Sequence, residues 1–220
     1  HPELFDWLTA TFIESGWSLK SLHRIILTSS TWKQSSEHTL AEQYQKLDPT
    51  DSMLWRYRVH RLKAEQIRDA MLTASGELTN RIGGPSNDEK HPGRALYMKQ
   101  FRNRNDTLLH AFDLSGGLKS VAIRNTTTTP TQSLIMINGN YVLARAKKMA
   151  EELLQNGGVD AVSLVGEAVQ RCWGRQPSEE ELENSIDFLV GSDSKKAVEP
   201  ARLADLCHIL FNSNEFLYLD

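Results

Sequence analysis

The chain has 220 residues, of which 40% are hydrophobic and 24% charged, and its formal net charge is −3. These proportions are typical of a globular protein that can bury a sizeable core, and the small negative charge argues against a nucleic-acid-binding protein. No run of about 18 apolar residues occurs, which excludes a membrane-spanning segment from the sequence.

The N-terminal residues predict an antiparallel pair of short helices. Apolar residues recur at helical spacing over residues 3–14. Gly16 is expected to end this helix and Ser18 to cap the next one. Because the chain starts at His1 without an initiator methionine or a leader-like stretch, we expect it to be a truncated piece of a larger multidomain protein.

The middle of the chain predicts less regular structure. Residues 34–53 are polar and indicate a surface connection, and residues 62–75 indicate a third helix. The Gly-, Pro- and Asn-rich residues 80–94 predict a mobile loop. Alternating side chains at 95–101 favour a strand, which could pair with 55–59 as a hairpin. The alternative is that 55–59 extends the third helix backwards.

The second half predicts helices with clear start signals. A Thr129-Pro130-Thr131-Gln132 capping box and a Ser178-to-Glu181 capping box each open a helix, and Gly139 is expected to break the first of these. The predicted helices in this half cover residues 107–113, 130–138, 140 onward, 161–173, 179–190 and 200–211.

These elements together predict a mainly α fold. We expect a bundle or array of about eight or nine helices with at most one small β-hairpin. We expect a single domain over residues 1–220, with a division into 1–123 and 124–220 as the alternative.

Motifs for known chemistry are missing from the sequence. It contains no P-loop, no G-x-S-x-G elbow and no dinucleotide-binding glycine pattern, and none of the seven histidines falls in a close metal-ligand pair. We therefore expect no catalytic, metal or cofactor-binding residues in this chain.

One group of polar residues is a candidate ligand site. An arginine precedes a threonine run at a predicted helix N-terminus, where N–H groups, hydroxyls and a guanidinium can hold an anion. His110 is an additional candidate; the site residues are Asp113, Arg124, Thr127, Thr128, Thr129 and Gln132. The competing interpretation is structural: a helix cap in which Arg124 pairs with Asp113 to fix the loop.

Charge is distributed unevenly along the chain. Residues 54–110 hold eleven Lys and Arg against six Asp and Glu, whereas residues 151–220 hold five against fourteen. The aromatic and basic stretch at 55–61 can bind a polyanion or sugar, but pairing with the acidic third is the simpler interpretation.

The two cysteines, Cys172 and Cys207, are too few for a disulfide framework. They are either two buried thiols or one bridge. In the chain-entropy model such a bridge contributes about 3–4 kcal/mol.

Several segments resemble one known family. They are HPELFDWLTATFIESGWSLKSLHRIILTSSTWKQSS (1–36), LWRYRVHRLKAEQIRDAMLTASGEL (54–78), RNTTTTPTQSLIMINGNYV (124–142) and LCHILFNSNEFLYLD (206–220). The family is the planctomycete-specific domain of unknown function 1553, which occurs at the C-terminal end of exported proteins with predicted planctomycete cytochrome c domains.

This resemblance implies an extracytoplasmic setting, which favours the disulfide, and haem only in other domains of the parent protein. The partners would be those other domains, a cytochrome c domain among them, with no nucleic acid. The function expected is a non-catalytic scaffold or interaction module. The alternative is an enzyme or binding domain for an anionic or carbohydrate ligand that uses the Arg124 and threonine-run helix N-terminus.

Overall fold

The computed structural model describes residues 1–101, 103–104, 106–116, 121–156, 160–191 and 197–219, and α-helices dominate them. Eleven helices lie within these residues, and nine of them have seven residues or more. They are α1 (Pro2–Glu14), α2 (Leu19–Thr28), α3 (Ala41–Leu47), α4 (Ala64–Ala74), α5 (Thr107–Ala111), α6 (Pro130–Asn138), α7 (Asn140–Asn156), α8 (Ala161–Trp173), α9 (Glu179–Val190), α10 (Pro200–Phe211) and α11 (Asn214–Leu217). The predicted mainly α class is confirmed.

The β structure is smaller than expected and lies elsewhere. Strand β1 (His60–Arg61) pairs with β2 (Tyr218–Leu219), and Ala95–Tyr97 forms a single 3₁₀ turn. The predicted hairpin between 55–59 and 95–101 was therefore wrong, and so was the backward extension of the third helix, because α4 begins only at Ala64. Residues 87 and 98 form one isolated bridge, so the alternation at 95–101 marks a loop held by single backbone contacts.

The chain divides into two compact units, His1–His60 and Arg61–Leu219. Whether the 220 residues act as one domain, or divide at 123 and 124, stays a prediction. In the second unit α7 is the central helix, and it packs against α4, α6, α8 and α10. The fully buried apolar side chains include Ile67, Met71, Leu109, Val142, Met149, Leu153, Leu164, Val165, Leu203 and Phe211.

Local capping signals set the helix starts, as the sequence predicts. The side chains of Ser18 and Asp160 accept hydrogen bonds from backbone N–H groups of the third helical residues, at 3.2 and 2.9 Å. Ser178 and Glu181 form the full reciprocal capping box. Gly139 ends α6, and a Cβ at that position would overlap the carbonyl oxygen of Ile135. Glycine is therefore required at the joint between α6 and α7.

The first unit has no apolar core of its own. All sixty of its residues are described, and Asp51 is the only one that is buried. Its carboxylate accepts hydrogen bonds from the N–H groups of Trp55 and Arg56 and from the Arg58 side chain at 3.0 Å. The unit is thus held by local polar contacts and by partly exposed rings.

Acid is expected to weaken the second unit through one ion-pair network. Arg175 binds Glu181 at 2.7 Å and Glu215 at 2.6 Å. The bond from Arg175, followed by that from the Ser178 N–H, lowers the pKa of Glu181 to about 2. A carboxyl group whose pKa is lowered by folding stabilises the folded state at pH values above its unfolded pKa of about 4.3. This stabilisation is lost as the pH falls toward 2. Because the groups are about one-third exposed, we expect a loss of only about 1 kcal/mol.

The measurement is the free energy of urea unfolding at several pH values between 5 and 2. The Glu181→Gln variant should show a flatter profile than the parent, whereas Glu183→Gln on the same helix should not. Parallel profiles for the parent and Glu181→Gln would contradict the role of this network.

Candidate functional site

The predicted ligand-site residues meet where α5 ends and α6 begins. Asp113 follows α5 in the left-handed backbone region (φ 66°). Its carboxylate accepts the Thr127 N–H at 2.8 Å and the Thr127 hydroxyl at 2.7 Å. The structure therefore brings Asp113 and Thr127 together, and the contact joins two segments of the loop to each other.

Arg61 is the cation that binds Asp113. Its guanidinium donates to the Asp113 carboxylate at 2.8 Å, to the Gln132 amide oxygen at 2.9 Å and to the Thr127 carbonyl. The Arg61 side chain is 5% exposed, and it also lies over the Phe112 ring at 5.1 Å. A buried guanidinium is thus held by three different acceptors.

Hydrogen bonds decide the ionisation of Asp113. Burial alone would raise its pKa, but the bonds from the Thr127 N–H, the Arg61 guanidinium and the Thr127 hydroxyl outweigh burial. The pKa of Asp113 consequently lies below its ordinary value. The carboxylate is therefore charged near neutral pH and bound by its own chain.

Gln132 uses its whole amide group within the fold. Its oxygen accepts from Arg61 and from the Thr129 N–H at 3.2 Å, as the capping box predicts. Its nitrogen donates to the carbonyls of Ala111 and Thr127, each at 3.0 Å. We call the mutually bonded residues Arg61, Asp113, Thr127 and Gln132 the α5–α6 lock.

Arg124 and Thr128 lie outside this lock. The Nη1 of Arg124 donates to both carboxylate oxygens of Glu65 at 2.8 Å. The predicted pairing of Arg124 with Asp113 therefore does not occur. Thr128 is exposed, and so is His110 at the end of α5. Arg61 was predicted only as part of the aromatic and basic stretch 55–61, and no sequence signal linked it to Asp113 or Gln132.

A cavity of about 700 Å³ lies beside the lock. Its lining includes three cations, Arg61, Lys63 and Arg124, together with Asp113 and Thr126. Two of the cations are already paired with carboxylates. The predicted use of this region as an anion site stays a prediction.

The first unit exposes many large apolar side chains. Helices α1 and α2 bury no residue. Phe5 is 73% exposed and Trp17 67%; the other large apolar residues exposed here are Leu4, Trp7, Ile13, Leu19, Ile26, Leu27 and Trp32. We call α1, α2 and their connection the N-terminal hairpin.

The link between the two helices has a defined backbone. Gly16 and Trp17 both have positive φ, 71° and 62°, and the Trp17 N–H donates to the Phe12 carbonyl at 3.0 Å. The Trp17 ring meets the Phe12 ring edge-on at 5.4 Å. A tryptophan in the left-handed region is uncommon and costs conformational energy. The contact with the Phe12 ring helps to hold Trp17 in this conformation.

The aromatic and basic stretch after residue 54 forms small local clusters. Trp55 stacks on Tyr44 at 5.7 Å, with His38 edge-on to both rings. Arg56 lies over Trp55 at 4.7 Å, and Arg58 pairs with Asp51. In the second unit, none of the ion pairs among the described residues joins residues 61–110 to the acidic third.

Both cysteines carry free thiols in the structure. The Cys172 sulfur lies 3.9 Å from the Met149 sulfur, and burial raises the pKa of Cys172 above its ordinary value and that of Cys207 to about 12. Such thiols are poor nucleophiles. A bridge between Cys172 and Cys207 stays a prediction.

Two further observations concern the described part of the chain. It contains no group of three or more His, Cys, Asp or Glu residues arranged to hold a metal ion. None of its helices combines the length and the apolar character needed to cross a membrane.

The comparison with protein families gives the chain its class. A family model described as PSD1, a protein of unknown function (DUF1553), matches residues 1–189. The chain belongs to this family. No curated protein and no solved structure matches the sequence.

Proposed function

We propose that this chain is a non-catalytic interaction module and that the N-terminal hairpin is its docking surface. One observation carries the proposal: α1 and α2 bury no residue, yet they expose seven large apolar side chains. Exposed apolar patches of this kind mark protein contacts, and aromatic residues supply much of the binding energy at such contacts.

The α5–α6 lock supports the non-catalytic part of the proposal. A catalytic carboxylate or arginine needs free bonding capacity toward a substrate. Here the Asp113, Thr127 and Gln132 side chains are bonded to one another or to Arg61. Their chemistry is used to join two helices.

The docking role is tested by comparing solvent exposure of the hairpin in two states. When the chain is highly dilute, acrylamide should readily quench the fluorescence of Trp7. Radical footprinting should oxidise the apolar residues around it. In the intact parent polypeptide the same residues should be protected, because the docked face excludes water. Ile82, 90% exposed in the second unit, is the internal reference.

Equal exposure of residues 1–32 in both states would contradict docking. Turnover by the isolated chain on a panel of polysaccharides, esters or sulfate esters, lost in Arg124→Ala, would contradict the non-catalytic assignment.

The setting is a further part of the proposal. We propose that the chain is part of an exported, extracytoplasmic planctomycete protein, with haem confined to other domains of the polypeptide and a cytochrome c domain among its partners. The support is the resemblance of the four quoted segments. A calorimetric titration of the chain with the haem-bearing part of its polypeptide should show saturable binding.

A ligand-binding domain is the second candidate function. It is favoured by the cavity beside the lock, whose three cations face a volume suited to a small anionic or sugar ligand. In this case Lys63 would bind the ligand, joined by Arg124 if the ligand displaces Glu65, because Arg61 is held by the lock.

A further inference from the structure

The two helices of the N-terminal hairpin carry charges of opposite sign. Helix α1 contains Glu3, Asp6 and Glu14 and no Lys or Arg, whereas α2 contains Lys20 and Arg24 and no Asp or Glu. All five residues are exposed. The hairpin thus presents one acidic and one basic helix side by side.

On each helix the charges share a face with exposed apolar residues. At about 100° per residue, the three acidic residues of α1 fall between Ile13 and Trp7 around the helix. On α2 the same spacing places Lys20 and Arg24 beside Leu27. Each face therefore combines apolar contact area with charge of a single sign.

Such a hairpin is complementary to itself. A two-fold axis places α1 of one copy against α2 of the other, and α2 against α1, so each acidic face meets a basic face. Pairing of like helices would oppose three carboxylates to three carboxylates and is disfavoured. Resting on the docking role proposed above, we infer that the N-terminal hairpin binds a second copy of this chain as a four-helix arrangement.

The hairpin exposes several large apolar side chains that a dimer interface could bury. A specific interface buries roughly 800 Å² on each partner. A fully buried Phe or Trp contributes about 150–250 Å², and Phe5, Trp7 and Trp17 of the hairpin are each more than half exposed. Exposed aliphatic side chains on its two helices add to this apolar surface: Leu4, Ile13, Leu19, Ile26 and Leu27.

The apolar and charged groups have different tasks in this dimer. The apolar side chains supply most of the affinity, while exposed charges add little energy and select the orientation. The dimer should therefore persist at high salt, and reversal of one helix's charges should still weaken it strongly, because like charges then meet in both halves of the interface.

The test uses sedimentation equilibrium of the full chain and of two charge-reversed variants. One carries Glu3→Lys, Asp6→Lys and Glu14→Lys; the other carries Lys20→Glu and Arg24→Glu. Each alone should dimerise at least tenfold more weakly than the parent. Mixed in equal amounts they should form a heterodimer, because complementary faces are restored. Circular dichroism checks that helix content is kept.

A second pair of variants tests the apolar part. Trp7→Glu should abolish dimerisation, whereas Ile82→Glu in the second unit should leave it unchanged. A parent chain that stays monomeric at every concentration, a dimer insensitive to both reversals, or a failure of the mixed variants to associate would overturn the inference.

These outcomes are separable from the docking proposal. A monomeric chain whose hairpin is nevertheless protected in the intact polypeptide would leave docking intact and assign the hairpin to another partner. A monomeric chain whose hairpin stays exposed in both states would contradict both proposals.

Discussion

Replacing Arg61 with alanine is expected to lower the free energy of unfolding by about 3–5 kcal/mol. The guanidinium is buried and binds Asp113 and Gln132, so its removal leaves a partly buried carboxylate and an amide oxygen without their strongest donor. Breaking one side of a buried ion pair is strongly destabilising for this reason. Urea unfolding of the parent and the variant measures the difference.

Arg124→Ala is the matched control for this experiment. Its guanidinium is 37% exposed and pairs with a single carboxylate, Glu65. Surface ion pairs of this kind contribute roughly 0.2–1 kcal/mol. If Arg124→Ala destabilises as much as Arg61→Ala, the α5–α6 lock is not the structural centre of this region.

Arg68→Met is expected to cost about 3 kcal/mol and to loosen the loop that follows α4. The Arg68 guanidinium donates to the carbonyls of Gly93 and His91 at 2.8 and 2.9 Å, and its side chain is 2% exposed. Methionine keeps the buried aliphatic volume but leaves both carbonyls unpaired, and hydrogen bonds to charged groups contribute about 1.5–3 kcal/mol each.

Two measurements check this result. Unfolding in urea gives the free energy, and limited proteolysis should cut residues 79–101 faster in the variant than in the parent. Arg94→Met, which removes a 58% exposed arginine 3.7 Å from Asp69, is the control and should change neither measurement appreciably. Unchanged proteolysis in Arg68→Met would show that other contacts hold the loop.

Helix boundaries were predictable because their causes are local. Ser18, Asp160, Ser178 and Gly139 act on backbone groups within four residues, so a short window of sequence contains the whole interaction. The alternation at 95–101 failed as a strand signal because strand pairing is not local. The actual partner of β1 lies at the far end of the chain, at Tyr218–Leu219.

The candidate site was predictable only in part, for the same physical reason. The capping contact between Gln132 and Thr129 spans three residues and was found. The contact between Arg61 and Asp113 joins distant segments, and the sequence offered Arg124 as a nearer cation. Spacing along the chain does not decide which arginine is brought inward by the packing of α4 and α5.

The position of α10 has a practical consequence for dividing the polypeptide. The family match ends at residue 189, but α10 lies beyond it and packs along α7. Five of its side chains are buried: Leu203, Leu206, Cys207, Leu210 and Phe211. A recombinant chain that ends at residue 189 would lack α10. The apolar side of α7 that α10 covers would then be exposed to solvent and prone to aggregation. Expression vectors for this family should therefore extend through the helix that follows the recognised region.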